Sequence, residues 1–480
     1  MIEITSNQML IGGEWKCAKS ERPLYDPSTG DVLAQIAMAD VNDVDDAVSA
    51  GHDALRGEWG ASTAKDRGRI LGRIGQAVEK HAAKLALLEA QDVGKPYSQA
   101  LADAHALARY LEFYAGAADK IHGETIPYQA DYTVYTIREP FGVTGHIIPW
   151  NYPMQIIGRS VVAALTMGNA TVLKPAEEAC LTAIAFGKIA EEAGLPAGAL
   201  NIVTGLGEVT GDALARHRGI NHISFTGSFA VGDKVQTAAA SNAVPVTLEL
   251  GGKSPQIVFD DADIEKALPS LVNAGIQNAG QTCSAGSRIL VHRKIYDLLL
   301  ERLAETYRAL RVGPAMSDLN LGPLVSAKQK EIVAGYLTRA SADGLSLVAS
   351  GEIIDEAPAG GFYAAPTLWA DVPADHALAQ EEIFGPVQVV IPFDTEEEAV
   401  EIANGTDFGL VAGVWTRDGA RQMRMARKLR VGQVFINNYG AGGGVELPFG
   451  GVGRSGHGRE KGLEALYSFS AVKTIAALHE

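Results

Sequence analysis

Apolar residues at three- and four-residue spacing predict two long helices in the first quarter of the chain, at 62–95 and 97–122. In the first of these, Ile70, Ile74, Val78 and His81 share one face. Residues 131–140 (DYTVYTIREP) then alternate between apolar and polar with a period of two. This alternation is typical of a short strand pair that lies on the surface or joins subunits.

From Phe141 onwards, short apolar segments alternate with helical ones. Strands are predicted at VTGHIIP, NATVLKP, NHISFTG and VPVTLELGG, with helices between them, one of which covers 176–193. The alternation restarts after Gly252, with further helices at 263–278 and 296–310. Strands that alternate with helices predict parallel sheets covered by helices, so we expect an α/β protein with two such domains.

Composition narrows the class of protein. A chain of 480 residues is too long for one compact core, and 47% hydrophobic with 20% charged residues is typical of a globular protein. The net charge of −16 disfavours nucleic acid and anionic membranes as partners. No signal peptide or membrane-spanning run is recognisable, and three scattered cysteines indicate a reducing, cytoplasmic compartment. The histidines and cysteines form no metal-binding motif, so no metal is expected.

One of the three cysteines, Cys283, lies in the stretch NAGQTCSAG, and its chemistry depends on residues far away in sequence. Most cysteines without a partner are small buried hydrophobes. Glu249 stands in an otherwise apolar strand, where a carboxylate is costly unless it faces a cleft or a cation. Burial would raise its pKa, which suits a general base. Asn151, between two prolines after a strand, fits either an oxyanion-binding donor or a turn residue.

Segments that resemble nucleotide-binding turns follow several strands, and each also has a purely structural explanation. Gly227 and Ser228 connect a strand to a helix, which suits a phosphate group or an ordinary turn. Lys174 and Glu177 end another strand, where they suit the hydroxyls of a ribose or the start of a helix. The acidic segment AQEEIFGPV fits a second ribose and a flat ring, or a solvated patch.

The motif GxGxxG occurs at residues 451–456, but its context does not suit a dinucleotide. Neither a strand before it nor a full βαβ unit after it is recognisable, and both are needed for a pyrophosphate loop. A glycine-rich turn that lets segments pack closely is the better interpretation.

Taken together, PWNYP, KPAE, FTGS, LELGGK, GQTCS, EEIFGP and PFGG…SGHGRE stand in an order that resembles the aldehyde dehydrogenase superfamily over essentially the whole chain. The resemblance implies an α/β fold with three parts. A Rossmann-type cofactor domain would comprise residues 1–120 and 139–250, and an α/β catalytic domain residues 251–450. A small β oligomerisation arm would comprise residues 121–138 and 460–480, which implies a homodimer or homotetramer.

The resemblance also implies roles for individual residues. Cys283 would be the nucleophile, Glu249 the general base and Asn151 the oxyanion-binding amide. The remaining positions are Trp150, Lys174, Glu177, Gly227, Ser228, Glu382 and Phe384 for NAD; Tyr152, Arg159, Thr282 and Ser284 for the substrate pocket; and Glu460 behind the base. The implied reaction oxidises an aldehyde to the carboxylic acid through a Cys283 thiohemiacetal and thioester, which Glu249 helps water to hydrolyse.

Relatives that transfer the acyl group to coenzyme A lack the base, so Glu249 favours hydrolysis. Glu177 would repel a ribose 2′-phosphate and so favours NAD over NADP. Ser284 and glycines 442–444 favour a bulky or aromatic aldehyde, while Arg159 leaves a carboxylate-bearing semialdehyde as the alternative. Succinate-semialdehyde enzymes have a second arginine where this chain has Gln277, which weakens succinate semialdehyde as the substrate. Two other classes stay open, a cofactor-binding structural protein and a thioesterase that uses Cys283 without redox chemistry.

Overall fold

The computed structural model describes residues 4–440 and 444–479, and the strands of this part form two large sheets and four small ones. In chain order the strands are β1 (Gln8–Ile11), β2 (Glu14–Cys17), β3 (Glu21–Tyr25), β4 (Val32–Ala37), β5 (Thr125–Ile126), β6 (Tyr132–Pro140), β7 (Val143–Ile147), β8 (Ala170–Lys174), β9 (Leu200–Ile202), β10 (His222–Thr226), β11 (Val246–Glu249), β12 (Pro255–Val258), β13 (Arg288–His292), β14 (Arg311–Val312), β15 (Ser346–Ser350), β16 (Glu352–Ile353), β17 (Thr367–Ala370), β18 (Val387–Phe393), β19 (Phe408–Gly409), β20 (Val411–Trp415), β21 (Gln433–Ile436), β22 (Val452–Gly453), β23 (Gly456–His457) and β24 (Ser470–Leu478).

The helices in chain order are α1 (Val41–Arg56), α2 (Glu58–Ala61), α3 (Ala64–Lys80), α4 (Ala82–Val93), α5 (Tyr97–Ala117), α6 (Pro153–Ile156), α7 (Ala163–Met167), α8 (Leu181–Glu192), α9 (Asp212–Arg216), α10 (Phe229–Ala240), α11 (Ile264–Ile276), α12 (Tyr296–Ala309), α13 (Ala327–Ala342), α14 (Ala377–Gln380), α15 (Glu396–Asn404), α16 (Gly419–Lys428) and α17 (Glu464–Ser468). Between α6 and α7, residues Ile157–Val162 form a π-helical turn. No helix of the described residues is long and apolar enough to cross a membrane.

The first large sheet has eight strands in the order β2-β1-β9-β8-β7-β10-β11-β23. Its central strands, from β9 to β11, are parallel, and β7, β8 and β10 are buried along their whole length. The register pairs Ile147 with Lys174 and Thr226 with Glu249, the last residues of four neighbouring strands. Side chains at these carboxyl ends therefore meet at one edge of the sheet, where α/β proteins bind ligands.

The second large sheet has seven strands in the order β15-β17-β18-β13-β12-β20-β21, with every pair parallel except β15–β17. The chain passes from the first sheet to the second between β11 and β12, where the sequence predicts a restart at Gly252. A separate hydrophobic core packs around each sheet. The predicted α/β architecture is confirmed.

A third sheet stands apart from these two and has three antiparallel strands in the order β24-β6-β5. The prediction of a strand pair within residues 131–140 is wrong, because this segment is the single strand β6. Alternation with a period of two reveals a half-exposed strand but not its partner, which here comes from the other end of the chain. Tyr135, Val472 and Leu478 are exposed on this sheet.

The helix predicted at 62–95 is in fact two helices. The chain bends at His81, whose φ of −104° and ψ of 10° interrupt the helix between α3 and α4. Because both helices pack against α5, the apolar spacing continues through the bend and conceals it.

The helix predicted at 176–193 begins only at Leu181. Its first N–H group donates to Oδ2 of the buried Asp92 at 3.0 Å, so a carboxylate 89 residues earlier in the chain caps it. Pro175 and Glu177 therefore lie in the turn before the helix and not in its first turn.

Candidate active site

A cavity of about 440 Å³ opens at the carboxyl ends of β7, β10 and β11 and extends to the loops of the second sheet. Most of the residues singled out from the sequence line it, namely Trp150, Asn151, Tyr152, Arg159, Gly227, Ser228, Glu249, Thr282, Cys283, Ser284, Glu382 and Phe384. Lys174, Glu177 and Glu460 lie outside its wall. The fold therefore assembles one site from segments that lie far apart in the sequence.

The loop that carries Cys283 follows α11 and has unusual backbone geometry. The helix predicted at 263–278 ends at Ile276, because Asn278 and Ala279 adopt left-handed φ angles of 49° and 53°. Such angles are strained for residues other than glycine. A Cβ atom on Gly252 would lie 2.4 Å from the carbonyl oxygen of Cys283, so only glycine lets this loop approach the first sheet so closely.

Amide side chains hold this loop against the turn after β7. Nδ2 of Asn151 donates to the carbonyl of Gln281 at 3.0 Å, and Nδ2 of Asn278 donates to the carbonyl of Asn151 at 3.1 Å. Nε2 of Gln281 donates back to the carbonyl of Asn278 at 3.0 Å. An amide nitrogen carries two hydrogens, so Asn151 has a second hydrogen that could be donated into the cavity.

Glu249, the last residue of β11, is 1% exposed, and its two carboxylate oxygens accept no hydrogen bond from the described residues. Burial raises the pKa of this carboxyl well above its usual range, and the charge of Glu460 raises it further, while Arg159 and Arg459 oppose the shift. The expectation of a buried carboxylate with a raised pKa is confirmed. The carboxylate of Glu249 is therefore a stronger base than that of an exposed glutamate.

Arg159 and Glu460 form a buried ion pair next to this base. Nε of Arg159 lies 2.5 Å from Oε2 of Glu460, and a guanidinium nitrogen donates to Oγ1 of Thr226 at 3.1 Å. The hydroxyl of Ser224 donates to the other oxygen of Glu460 at 2.7 Å. Burial opposes the charged form of Arg159, but the attraction to Glu460, together with that to Glu249 and further groups, outweighs it and raises the pKa of the guanidinium. The charge of Arg159 is therefore already compensated within the protein.

The thiol of Cys283 is protonated in the structure at neutral pH. Burial raises its pKa to about 12, although the nearby guanidinium of Arg159 partly opposes this shift. Because the thiolate is the nucleophilic form of a cysteine, it must arise as the S–C bond is made.

Aromatic and acidic side chains line the other end of the cavity. The rings of Trp150 and Phe384 meet edge to face, with centroids 5.3 Å apart. Oε1 of Glu382 accepts from the N–H of Gly252 at 3.1 Å, and burial raises the pKa of this carboxyl to about 7. Nε2 of Gln329 donates to the carbonyl of Phe384 at 2.9 Å, which fixes the loop. This end suits a flat ring and a sugar hydroxyl.

Two turns at the carboxyl edge of the first sheet flank this end. Ser228 directly precedes α10, a helix of 12 residues whose first N–H groups have no intrahelical partners. A Cβ atom on Gly227 would lie 2.6 Å from the ring of Phe225, so the glycine has a packing role as well. Nζ of the buried Lys174 lies 3.0 Å from Oε2 of Glu177, at the end of β8, which β7 separates from β10.

Comparison with known proteins agrees with this geometry. The model of the aldehyde dehydrogenase family matches residues 15–475. This chain belongs to the aldehyde dehydrogenase family. It is 43% identical to aldehyde dehydrogenase family 2 member B4, mitochondrial, of Arabidopsis thaliana, over 99% of this chain and 88% of that protein. It is 41% identical to human retinal dehydrogenase 2, over 99% of this chain and 92% of that protein.

Solved structures of other aldehyde dehydrogenases have the same fold. An aldehyde dehydrogenase of Bacillus cereus in complex with NAD+ is 40% identical and superimposes with a TM-score of 0.96, over 99% of this chain and 97% of that one. A betaine aldehyde dehydrogenase of Staphylococcus aureus with NAD+ is 34% identical with a TM-score of 0.95, over 98% and 94%. The superfamily and the fold class inferred from the sequence motifs are confirmed.

The glycines of the GxGxxG motif serve packing in this aldehyde dehydrogenase, as the sequence analysis predicts. Gly453 lies in the short strand β22 and Gly456 in β23, which pairs with β11 directly beside Glu249. A Cβ atom on Gly456 would lie 2.0 Å from the carbonyl oxygen of Leu248. The motif thus lets a loop pack against the strand that carries the base.

The sequence motifs do not predict the amides that hold the site together, namely Asn278, Gln281 and Gln329. Asn278 and Gln281 lie within five residues of Cys283 in the sequence, and this concentration of side-chain amides is the only sequence feature that indicates their role. Cys180 is fully buried directly before α8. Glycines 442 and 443 of the proposed outer pocket wall lie outside the described residues.

Proposed function

We propose that the protein oxidises an aldehyde to its carboxylic acid, with Cys283 as nucleophile, Asn151 as oxyanion-binding amide and Glu249 as general base. One observation carries this proposal: a buried carboxylate that accepts no hydrogen bond within residues 4–440 and 444–479 lines the same cavity as a thiol and an amide. A structural protein has no use for this costly arrangement.

The residues of the site support a covalent route in two stages. The sulfur of Cys283 attacks the aldehyde carbon and its proton passes to a base, while Asn151 donates to the oxygen that becomes negative. After oxidation the acyl group remains on sulfur as a thioester. Glu249 then takes a proton from water, whose oxygen attacks the thioester carbon, so that the acid leaves and the thiol re-forms.

NAD is the electron acceptor that we propose, and when bound it takes up the two electrons that the substrate loses. The site fits NAD, because the edge-to-face rings of Phe384 and Trp150 suit a nicotinamide ring and Glu382 suits the hydroxyls of a ribose. The amino end of α10 at Gly227 and Ser228 suits the pyrophosphate. The NAD+ complex of the related Bacillus cereus enzyme supports this choice.

Lys174 and Glu177 would hold the adenosine ribose, where the carboxylate disfavours a 2′-phosphate. We therefore expect a higher kcat/KM with NAD than with NADP. Glu177→Gln keeps the hydrogen-bonding shape without the charge, so it should lower the ratio of kcat/KM with NAD to kcat/KM with NADP. A higher kcat/KM with NADP in the wild type would contradict the ribose assignment.

The cavity favours a neutral, bulky or aromatic aldehyde over a semialdehyde. The guanidinium of Arg159 is paired with Glu460, so it offers little attraction to a substrate carboxylate. Thr282 and Ser284 are small, their hydroxyls lie 3.2 Å apart, and the ring of Tyr152 adds apolar surface. These features suit an aromatic substrate.

The test compares kcat/KM for benzaldehyde and succinate semialdehyde, followed at the absorbance band of NADH, in the wild type and in Arg159→Ala. We expect benzaldehyde to be preferred in the wild type. A preference for the semialdehyde that disappears in Arg159→Ala would establish the alternative. A failure to reduce NAD with any aldehyde, despite NAD binding, would overturn the proposed function.

We further propose a homodimer or homotetramer in the cytoplasm. The exposed apolar side chains of the sheet β24-β6-β5, Tyr135, Val472 and Leu478, suit contact with a second copy of the chain. Light scattering after size exclusion should give a multiple of 50.6 kDa, and Val472→Lys should shift it towards the monomer.

A further inference from the structure

A second group of buried charges lies behind the wall of the cavity that α6 forms. Nζ of Lys95 contacts Oε1 of Glu89 at 2.6 Å and also Oδ2 of Asp103. Lys95 and Glu89 are fully buried, and Asp103 is 3% exposed. Burial opposes the charge on Lys95, but attraction to Asp103 and Glu89 outweighs it and raises the pKa of the ammonium. Nothing in the proposed chemistry uses these groups.

This group reaches the cavity through two side chains that line it, Gln155 and Tyr152. Nε2 of Gln155 donates to Oδ1 of Asp103 at 2.5 Å. Nζ of Lys95 lies 4.0 Å from the ring centroid of Tyr152, a distance at which a cation attracts the face of an aromatic ring. The buried charges therefore hold part of the cavity wall in place.

The carboxylate of Asp103 determines which way the amide of Gln155 faces. A carboxylate paired with a lysine only accepts hydrogen bonds, so the nitrogen of the amide must face it. The carbonyl oxygen Oε1 then points away from Asp103, and it accepts no hydrogen bond from the described residues. Gln155 thus offers the cavity an oriented acceptor.

We propose that Gln155 is a specificity-determining residue that accepts a hydrogen bond from a neutral donor, such as a hydroxyl group, on the aldehyde. Asp103 and Lys95 are its positioning residues. This inference rests on the proposed aldehyde oxidation and narrows the substrate class to bulky aldehydes that carry a donor. An aldehyde with a carboxylate at this point would meet a second acceptor and bind less well.

The chain offers a matched control in Gln277, which lines the same cavity. Its side-chain amide makes no hydrogen bond to the described residues, so neither orientation of the amide is fixed. If an oriented acceptor determines specificity, removal of the Gln277 amide should matter much less than removal of the Gln155 amide.

The experiment measures kcat/KM at saturating NAD for the meta and para isomers of hydroxymethylbenzaldehyde and of ethylbenzaldehyde. The two series differ only in a hydroxyl that replaces a methyl group. We expect the wild type to prefer one hydroxymethyl isomer by about 3- to 10-fold, the value of one hydrogen bond. In Gln155→Met the ratio should fall to about one, while Gln277→Met should keep it.

Asp103→Asn tests the positioning role, because an asparagine no longer dictates the orientation of the Gln155 amide. We expect the ratio of kcat/KM between the hydroxymethyl and ethyl compounds to lie between that of the wild type and that of Gln155→Met. If this variant does not fold, the pair Gln155→Met and Gln277→Met still decides the question.

The inference is overturned if neither hydroxymethyl isomer is preferred by the wild type, or if Gln155→Met keeps the preference. In both cases turnover of benzaldehyde would show that the proposed function itself stands. Absence of NADH formation with every aldehyde would instead remove the proposed function, and this inference with it.

Discussion

Two buried groups of charges flank the same cavity, and they differ in how far their carboxylates are paired. In the group behind α6, Lys95 lies between Glu89 and Asp103 and contacts both. In the group at the end of β11, Arg159 contacts Glu460, while Glu249 is left without a hydrogen bond from the described residues.

The difference indicates a division of roles. A buried carboxylate that is not hydrogen-bonded costs stability, and such costs are concentrated where a group must react. A buried carboxylate paired with a cation instead fixes geometry, as Asp103 does for Gln155. Both groups consist of acidic and basic side chains of similar burial. The pairing of their carboxylates is therefore what distinguishes a group that reacts from a group that fixes the geometry of the cavity.

The largest expected effect is that of Glu249→Gln, which removes the unpaired carboxylate. Loss of a general base lowers kcat by about 10²- to 10⁴-fold. Because the carboxylate has no hydrogen bond to lose in the part of the chain that the structure describes, the melting temperature should stay the same or rise. Steady-state kinetics and a thermal melt check both parts. A kcat within threefold of the wild type would remove Glu249 from the mechanism.

Lys95→Met should have the opposite profile. It leaves Glu89 and Asp103 buried without their cation, so we expect the free energy of unfolding to fall by about 3–5 kcal/mol. Lys84→Met, on the exposed side of α4, the helix that carries Glu89, is the control and should change it by less than about 0.5 kcal/mol. Urea denaturation measures both variants. Equal effects would mean that the buried pair contributes nothing.

The substitution Asp92→Asn extends the comparison to a further buried carboxyl group. Burial raises the pKa of Asp92 to about 8. The unfolded chain releases this proton near pH 4, whereas the folded protein holds it until about pH 8, so stability falls between these values. Asparagine keeps the acceptor for the N–H of Leu181 and does not titrate. The gain in melting temperature over the wild type should therefore grow from about pH 5 to pH 8. A pH-independent difference would contradict this assignment.

Glu460→Gln should have the smallest effect on catalysis, a shift in the pH dependence of kcat. The charge of Glu460 raises the pKa of Glu249, whereas Arg159 lowers it. Without Glu460, Glu249 ionises at a lower pH, and because the ionised form is the base, the acid limb of the kcat profile should move to lower pH. A limb that stays in place, with unchanged folding by circular dichroism, would show that the two carboxylates act independently.

The sequence predicts the α/β architecture well because strand and helix periodicities reflect burial, and burial dominates the fold. It also predicts which strand ends carry the site, since Lys174, Thr226 and Glu249 end neighbouring strands. It fails where distant partners decide: Asp92 sets the start of α8, and the bend at His81 is concealed by the common partner α5.

The same limit explains what was missed at the site. Gln155 stands between two apolar residues of a short helix, and nothing in that segment shows that Asp103, 52 residues earlier, orients its amide. From the sequence alone, Arg159 is a candidate to bind a substrate carboxylate. In the structure it already pairs with Glu460, which lies about 300 residues later in the chain. The residue types of a site follow from sequence motifs, whereas their pairing requires the fold.

The most direct test of the central claim is the fate of the acyl group. Glu249→Gln, incubated with NAD and benzaldehyde, is digested and analysed by mass spectrometry. We expect one benzoyl group on the peptide that contains Cys283, since attack at sulfur proceeds while hydrolysis of the thioester is slow. No adduct, or an adduct on Cys17 or Cys180 instead, would contradict the account.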